Sequence, residues 1–207
     1  MRPPHRKHCT RYERPAPGDR VQMDTCKIWP GLYQYTAVDD CTRYRVLRVY
    51  PRRTAANTLD FLDAVIEEMA FPIQRIQTDR GSEFFAHNVQ ERLMEYGIKF
   101  RPIRPASPHL NGKVERSQKT DKLEFYATAD LDDPELADRL SEWQHYYNWR
   151  RPHGALHGKT PMQRVCKLGN STPFWKDVSA LYDPAKERFQ ERNYQVDLKL
   201  RKVKGCP

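Results

Sequence analysis

The sequence predicts an α/β domain built on a mixed five-stranded sheet flanked by helices. Three observations carry that prediction. Apolar residues alternate in the first strand segment, later strands alternate with helical segments, and Gly, Pro or turn-forming residues stand at most boundaries. At 207 residues the chain has room for one well-cored domain of about 150 residues plus extensions.

Taken in order, residues 1–19 are basic and broken by Pro3, Pro4, Pro15 and Pro17, which reads as a linker. Val21 and Met23 alternate into a strand that ends at Asp24. Two further strands, near 32–38 and 43–50, are joined through Asp39-Asp40-Cys41-Thr42, so the three form an antiparallel meander. In that turn Asp39 and Asp40 are expected to bond backbone. Thr54 caps a helix whose Leu59, Leu62, Val65, Ile66 and Met69 fall on one face, and Pro72 stops it.

Ile73 and Ile76 lead a fourth strand to Asp79, where Gly81 permits a sharp exit. A helix from His87 to Tyr96, closed by Gly97, precedes a short fifth strand at 98–101. Pro102, Pro105 and Pro108 mark a mobile loop that runs to Asn111, the expected N-cap of a helix toward Ala127. The next helix starts after Asp132 or Asp133 with Pro134 near its first turn, and Leu136, Leu140, Trp143 and Tyr147 form its core-facing stripe. Past Gly169 the composition changes, and NYQVDLKL at 193–200 alternates like a strand. The division expected is a linker at 1–19, a core at 20–168 and a basic extension at 169–207.

Three carboxylates stand in distinctive settings: Asp24 in VQMDTC, Asp79 in RIQTDRGSEF and Glu115 in SPHLNGKVERSQK, the last two separated by 35 residues. Two strand ends and a helix start can converge on a point. Together with AVDDCTRYR at 37–45 and YYNWRRPHGALHGKTP at 146–161, these motifs resemble, in the same order, the catalytic core of retroviral integrases and the related insertion-sequence transposases. The resemblance runs from about Gly18 to Arg164.

It implies a ribonuclease-H-like fold and a catalytic Asp24, Asp79, Glu115 triad that also ligates metal. The expected cofactor is a pair of Mg²⁺ or Mn²⁺ ions, with Asp24 bridging both, Asp79 holding one and Glu115 the other. Hard carboxylate oxygens suit such cations, and two ions can activate one oxygen and stabilise another during in-line displacement at phosphorus. The implied activity is DNA nicking and strand transfer by a 3′-hydroxyl, on element ends and target DNA, by a homo-oligomer assembled on DNA. Two other readings stand beside it: a nuclease of the same fold that only hydrolyses, and a non-catalytic DNA-binding remnant.

Charge agrees with a polyanionic partner: 36 Lys and Arg oppose 27 Asp and Glu, with an excess of four at each end, in residues 1–20 and 185–207. Lys119 and Lys122 follow Glu115 by four and seven positions, so a helix puts all three on one face, where the lysines would hold DNA phosphates. His109 and Asn111, at the end of the loop, are further expected DNA contacts. Glu83 reaches the edge of the site without a metal role, and Arg150, Arg151 and His153 are open between structure and DNA contact.

No apolar run approaches the roughly 20 residues of a membrane-spanning helix, which points to a cytoplasmic protein, nucleoid-associated when bound to DNA. Five irregularly spaced cysteines read as reduced thiols, and His5, His8 and Cys9 lack a second ligand pair at zinc spacing. Related transposases usually carry a helix-turn-helix ahead of the core, and no such pattern fits residues 1–19, so the expectation is a truncated or split protein, or a start site assigned past its first part.

Overall fold

Side-chain alternation along three strands gives the central sheet two chemically different faces. In the computed structural model, which describes residues 13–107 and 110–203, β1 (Val21–Trp29), β2 (Leu32–Asp39) and β3 (Arg45–Tyr50) form the antiparallel meander. β4 (Arg75–Thr78) and β5 (Lys99–Phe100) add in parallel beside β1, giving the order β3-β2-β1-β4-β5. β1 does not end at Asp24. Its pairing with β2 runs from Val21↔Asp39 to Trp29↔Leu32, so the aspartate lies mid-strand and is held by ladder bonds on either side.

One face is apolar. Val21, Met23, Tyr35, Ala37 and Val46 pack there with Phe61, Leu62 and Val65 of α1 (Ala55–Glu68) and Leu93 of α2 (His87–Glu95). The Thr54 hydroxyl accepts from the Asn57 N–H at 3.1 Å, the expected cap, while Phe61 and Thr58 complete a buried face on which Leu59 is only half-buried. Gly97 has φ +66°, the left-handed conformation that closes α2.

The opposite face is polar, with Gln22, Asp24, Gln34, Thr36 and Arg45 all buried beneath α3 (Gly112–Glu124) and α4 (Leu136–Trp149). Arg45 and Asp121 of α3, both 0% exposed, form an ion pair at 2.7 Å. Asp121 also accepts from Gln34 Nε2 and Trp143 Nε1, each at 2.8 Å, and the Arg45 guanidinium donates to Ser117 Oγ at 2.9 Å and lies 3.2 Å from the Tyr147 ring centroid. β3 is the sheet edge, and α4 closes it with side chains. Asn148 accepts from the Arg45 N–H at 3.0 Å and donates to its carbonyl at 2.8 Å, and Gln144 accepts from the Leu47 N–H at 2.5 Å. The α4 stripe of Leu136, Leu140, Trp143 and Tyr147 therefore packs, as expected.

The remaining helices are α5 (Pro161–Lys167), opened by a Thr160/Gln163 capping box, α6 (Trp175–Ala180) and α7 (Tyr194–Val203). α7 replaces the strand expected at 193–200. Alternation misleads there, because Asn193 caps the segment through Gln195 N–H, and buried Asp197 pairs with Arg201 one turn on at 2.9 Å and with Arg188 at 2.7 Å. The C-terminal segment folds back on α2 and β5: Gln90 and Gln190 exchange bonds at 2.7 and 3.1 Å, and Arg101 pairs with Glu187 at 2.5 Å. Among the described residues, no helix is long and apolar enough to cross a membrane.

Breaking a buried ion pair from one side leaves a desolvated charge behind. Arg45→Met should therefore lower unfolding free energy by about 3–5 kcal/mol, and adding Asp121→Leu should recover part of that loss. Urea denaturation of the two variants and the parent tests this, and a double variant weaker than Arg45→Met would contradict it.

Candidate active site

Two aspartates are brought together by strand register. β1 and β4 run parallel with Val21↔Ile76, Gln22↔Gln77 and Met23↔Thr78 as partners, so Asp24 and Asp79 each follow the last paired rung, Asp79 just past the end of β4. Their charges repel. Asp24 is buried, and its pKa is pushed up to about 7, first by desolvation and next by the neighbouring Asp79 carboxylate. The Thr25 N–H at 2.8 Å and Asn111 Nδ2 at 3.1 Å donate to it and oppose that rise. Asp79 stands at the mouth, open to solvent on one side. The atoms packed behind it raise its pKa, the Gly81 N–H at 2.9 Å lowers it and Glu83 raises it again.

Glu83 has a larger part than the sequence indicates. It is 6% exposed and accepts from the Thr25 hydroxyl at 2.8 Å, tying the residue after Asp24 to the turn after Asp79. Gly81 has an ordinary φ of −58°, so the turn does not need glycine for its backbone angle. A Cβ at position 81 would meet the Glu83 carboxylate at 2.8 Å, so any other residue there would push that carboxylate aside. The glycine thus leaves room for the Glu83 carboxylate, where the sequence suggests a conformational role.

α3 approaches from the polar face. Asn111 occupies the N-cap position with φ −101° and ψ 0°, and its side chain makes no cap bond; buried to 6% exposure, it turns to Asp24 instead. This corrects the expected cap. Around it, Gln22 Oε1 accepts from the Val114 N–H at 3.2 Å, Gln77 Nε2 donates to the Leu110 carbonyl at 2.7 Å, and the Lys113 ammonium pairs with Asp40. Asp40 thus differs from the backbone-bonding turn residue expected, since it holds Arg20 and Lys113. Asp39 does bond as expected, accepting from the N–H groups of Gly18, Cys41 and Thr42.

Glu115 lies in the first turn of α3, exposed, and Lys119 and Lys122 are exposed further along the same helix. The charge of Lys122 reaches Cys26, whose thiol burial pushes up to about 12. Among the described residues, no three His, Cys, Asp or Glu side chains are gathered as a metal-ligand set, and the carboxylate whose charge is felt at Asp24 is that of Asp79. His109, and His5, His8 and Cys9, lie outside the described residues. Arg151 pairs with Glu124 at 2.5 Å, and His153 is buried against the Tyr147 ring at 4.3 Å, its pKa pushed down to about 4 by burial and the Arg151 charge. Both are thereby engaged in packing.

Two family models, each described as integrase core domain, match residues 14–108 and 96–161, a continuous span over most of the chain. The chain belongs to the integrase core family. This integrase-family chain is 28% identical over 187 residues to a putative integrase (ORF3) of Spiroplasma virus SpV1-C74, covering 79% of itself and 51% of the relative. It is 25% identical over 150 residues to the transposase for insertion sequence element IS904 of Lactococcus lactis subsp. lactis (strain IL1403), covering 65% of itself and 59% of the relative. It spans a little over half the length of these curated relatives. Among solved structures, the catalytic core domain of BIV integrase superposes with a TM-score of 0.60 at 22% identity, over 74% of this chain and 97% of that one. The HTLV-2 integrase catalytic core domain in complex with magnesium, in its dimeric form, gives 0.57 at 22% identity over 72% and 96%. At such identities the likeness concerns fold, and the fold is ribonuclease-H-like.

A raised carboxyl pKa has a definite consequence for stability. The folded state holds the Asp24 proton more tightly than the unfolded chain, so this group costs nothing below about pH 4 and costs progressively more as pH rises toward 7. Asp24→Asn should gain on the parent by about 2–4 kcal/mol above pH 7 and show no gain near pH 4. Chemical denaturation of both proteins across that range measures the difference, and a pH-independent gap would contradict the assignment.

Proposed function

We propose that this chain is a metal-dependent polynucleotidyl transferase that nicks DNA and joins a DNA 3′-hydroxyl to another strand, as a transposase or integrase does. The observation that carries this reading is the Asp24–Asp79 pair: two carboxylates side by side, one desolvated and both raised in pKa, form an anionic centre with no cationic side chain bonded to it among the described residues. The donor set fits a hard divalent cation. It consists of oxygens, and the buried Asn111 Oδ1 next to Asp24 has no hydrogen-bond partner, an acceptor that a hydrated cation could satisfy. Mg²⁺ or Mn²⁺ bound there, as two ions in the active complex, would supply charge stabilisation at phosphorus and a more acidic attacking hydroxyl.

The residues of the chain have separate roles in this scheme. Asp24 and Asp79 hold the cation, and Glu115 joins them when the first turn of α3 closes over DNA. Glu83 keeps the two aspartates in register through Thr25. Asn111 orients the Asp24 carboxylate, and Lys119 and Lys122, exposed beyond Glu115, bind flanking phosphates. Water as nucleophile gives a nick, and a 3′-hydroxyl gives a joint. DNA as partner and a homo-oligomer assembled on it belong to the same proposal, as does nucleoid association.

Asp24→Asn, Asp79→Asn and Glu115→Gln should each reduce strand joining by on the order of 10³-fold or more, because each removes an anionic ligand and little packing. A pre-nicked substrate with a free 3′-hydroxyl, incubated with Mg²⁺ or Mn²⁺, provides the assay; hydrolysis without joined product would reduce the protein to a nuclease, and full activity in any variant would remove that residue from the centre.

Lys119→Ala and Lys122→Ala should weaken DNA binding irrespective of sequence and lower the slope of log affinity against log salt by about 0.9 for each phosphate no longer neutralised. Binding isotherms over a salt series decide this. An unchanged slope would return both lysines to the helix surface.

A further inference from the structure

Next to Asp79 the chain builds a second concavity that the proposed chemistry does not use. It has a volume of about 600 Å³ and lies between the turn after β4, the loop after β5 and the C-terminal segment that folds back over them. Arg80, Arg101, Arg104, Lys186, Arg188 and Arg201 line it, and none of its lining residues is acidic. The carboxylates that pair with these cations are Asp183, Glu187 and Asp197, leaving three positive charges in excess. Arg104, exposed, has no ion-pair partner among the described residues.

The walls are held rigidly. Arg80 Nε donates to the Arg192 carbonyl at 2.8 Å, and Arg192 Nε returns a bond to the Arg80 carbonyl at 3.1 Å, so the residue after Asp79 is clamped to the C-terminal segment. Tyr194 contributes an aromatic face to the lining, with the Arg80 guanidinium 5.4 Å from its ring centroid. Cations along a groove together with an aromatic ring are the elements that hold a single nucleic-acid strand, through phosphates and through stacking of a base. A cleft of this volume has the scale of a small-ligand site and admits one strand rather than a duplex.

We propose that this cleft binds the backbone of a single DNA strand as it leaves the Asp24–Asp79 centre, with Arg104 and Lys186 on its phosphates and Tyr194 under a base. The direction of that strand rests on the transferase reading above, whereas occupancy of the cleft by single-stranded DNA does not. The C-terminal segment thereby acquires a function, since without Lys186, Arg188, Tyr194 and Arg201 the groove has one wall.

The test is binding of the full chain to a fluorescein-labelled 20-nucleotide oligo-dT, in EDTA, over a salt series. Arg104→Glu/Lys186→Glu, both at exposed positions, should weaken binding about tenfold or more and lower the salt slope by about 1.4, the equivalent of two phosphates on a single strand. Tyr194→Leu should cost about fivefold or more. Lys167→Glu/Lys176→Glu, also exposed and equal in net charge change, serves as the control and should stay within threefold. An unchanged slope in Arg104→Glu/Lys186→Glu, an equal loss in the control, or a loss on duplex as large as on oligo-dT would each overturn the inference. The two readings fail separately: oligo-dT binding that depends on the cleft, with no joining in Mg²⁺, sinks the transferase alone, and joining with cleft-independent binding sinks the cleft alone.

Discussion

The buried ion pair between Arg45 and Asp121 governs how the polar half of this protein is assembled. A sheet face that carries Gln22, Gln34, Thr36 and Arg45 cannot be covered by an apolar helix without stranding donors and acceptors, each of which would cost about 1–3 kcal/mol. α3 meets much of this demand with Ser117, Gln118 and Asp121, and α4 with Gln144 and Asn148, while Gln34 Oε1 and the Arg45 Nε and Nη2 groups stay without a hydrogen-bond partner among the described residues. The ion pair fixes the rotation of α3 about its own axis. That rotation is what turns Asn111 toward Asp24 and leaves Glu115, Lys119 and Lys122 facing outward.

This concentration of buried polar groups on one sheet face has a functional consequence. The apolar face, under α1 and α2, supplies the burial that stabilises the fold; the polar face holds a carboxylate out of water, where its pKa approaches 7. Glu83 connects the two. Its bond to Thr25 crosses from β1 to the turn after β4, so the spacing of the aspartates is set by a side-chain latch as well as by the ladder. Two crowded carboxylates favour any process that brings in a cation, and the accompanying gain in binding is the return of a cost already present in the folded chain.

The C-terminal segment extends the same logic to the surface. Two of its acids, Glu187 and Asp197, are buried behind arginines, so they anchor the segment while the cations face the cleft. Two consecutive features of the chain, Asp79 and Arg80, thus belong to oppositely charged neighbourhoods, one anionic and one cationic. A phosphate chain has use for both.

Much of this is legible in the residues themselves. Strand alternation at Val21 and Met23, the Thr54 cap, Gly97 and the turn at Asp39 each report local physics, and five strands and their neighbours follow from them. The motif order around Asp24, Asp79 and Glu115 is sufficient to indicate the family. What the sequence could not determine is set by partners far away along the chain. Asp24 lies mid-strand because β2 pairs past it, and Asn111 leaves its cap because a carboxylate 87 residues distant accepts its amide. Gly81 makes room for the Glu83 carboxylate, and 193–200 is helical because Asp197 finds Arg188 and Arg201. Periodicity reports which side of an element is apolar; where polar groups find their partners is decided only when the elements meet, because a buried hydrogen bond or ion pair has no signature until both of its ends are in place.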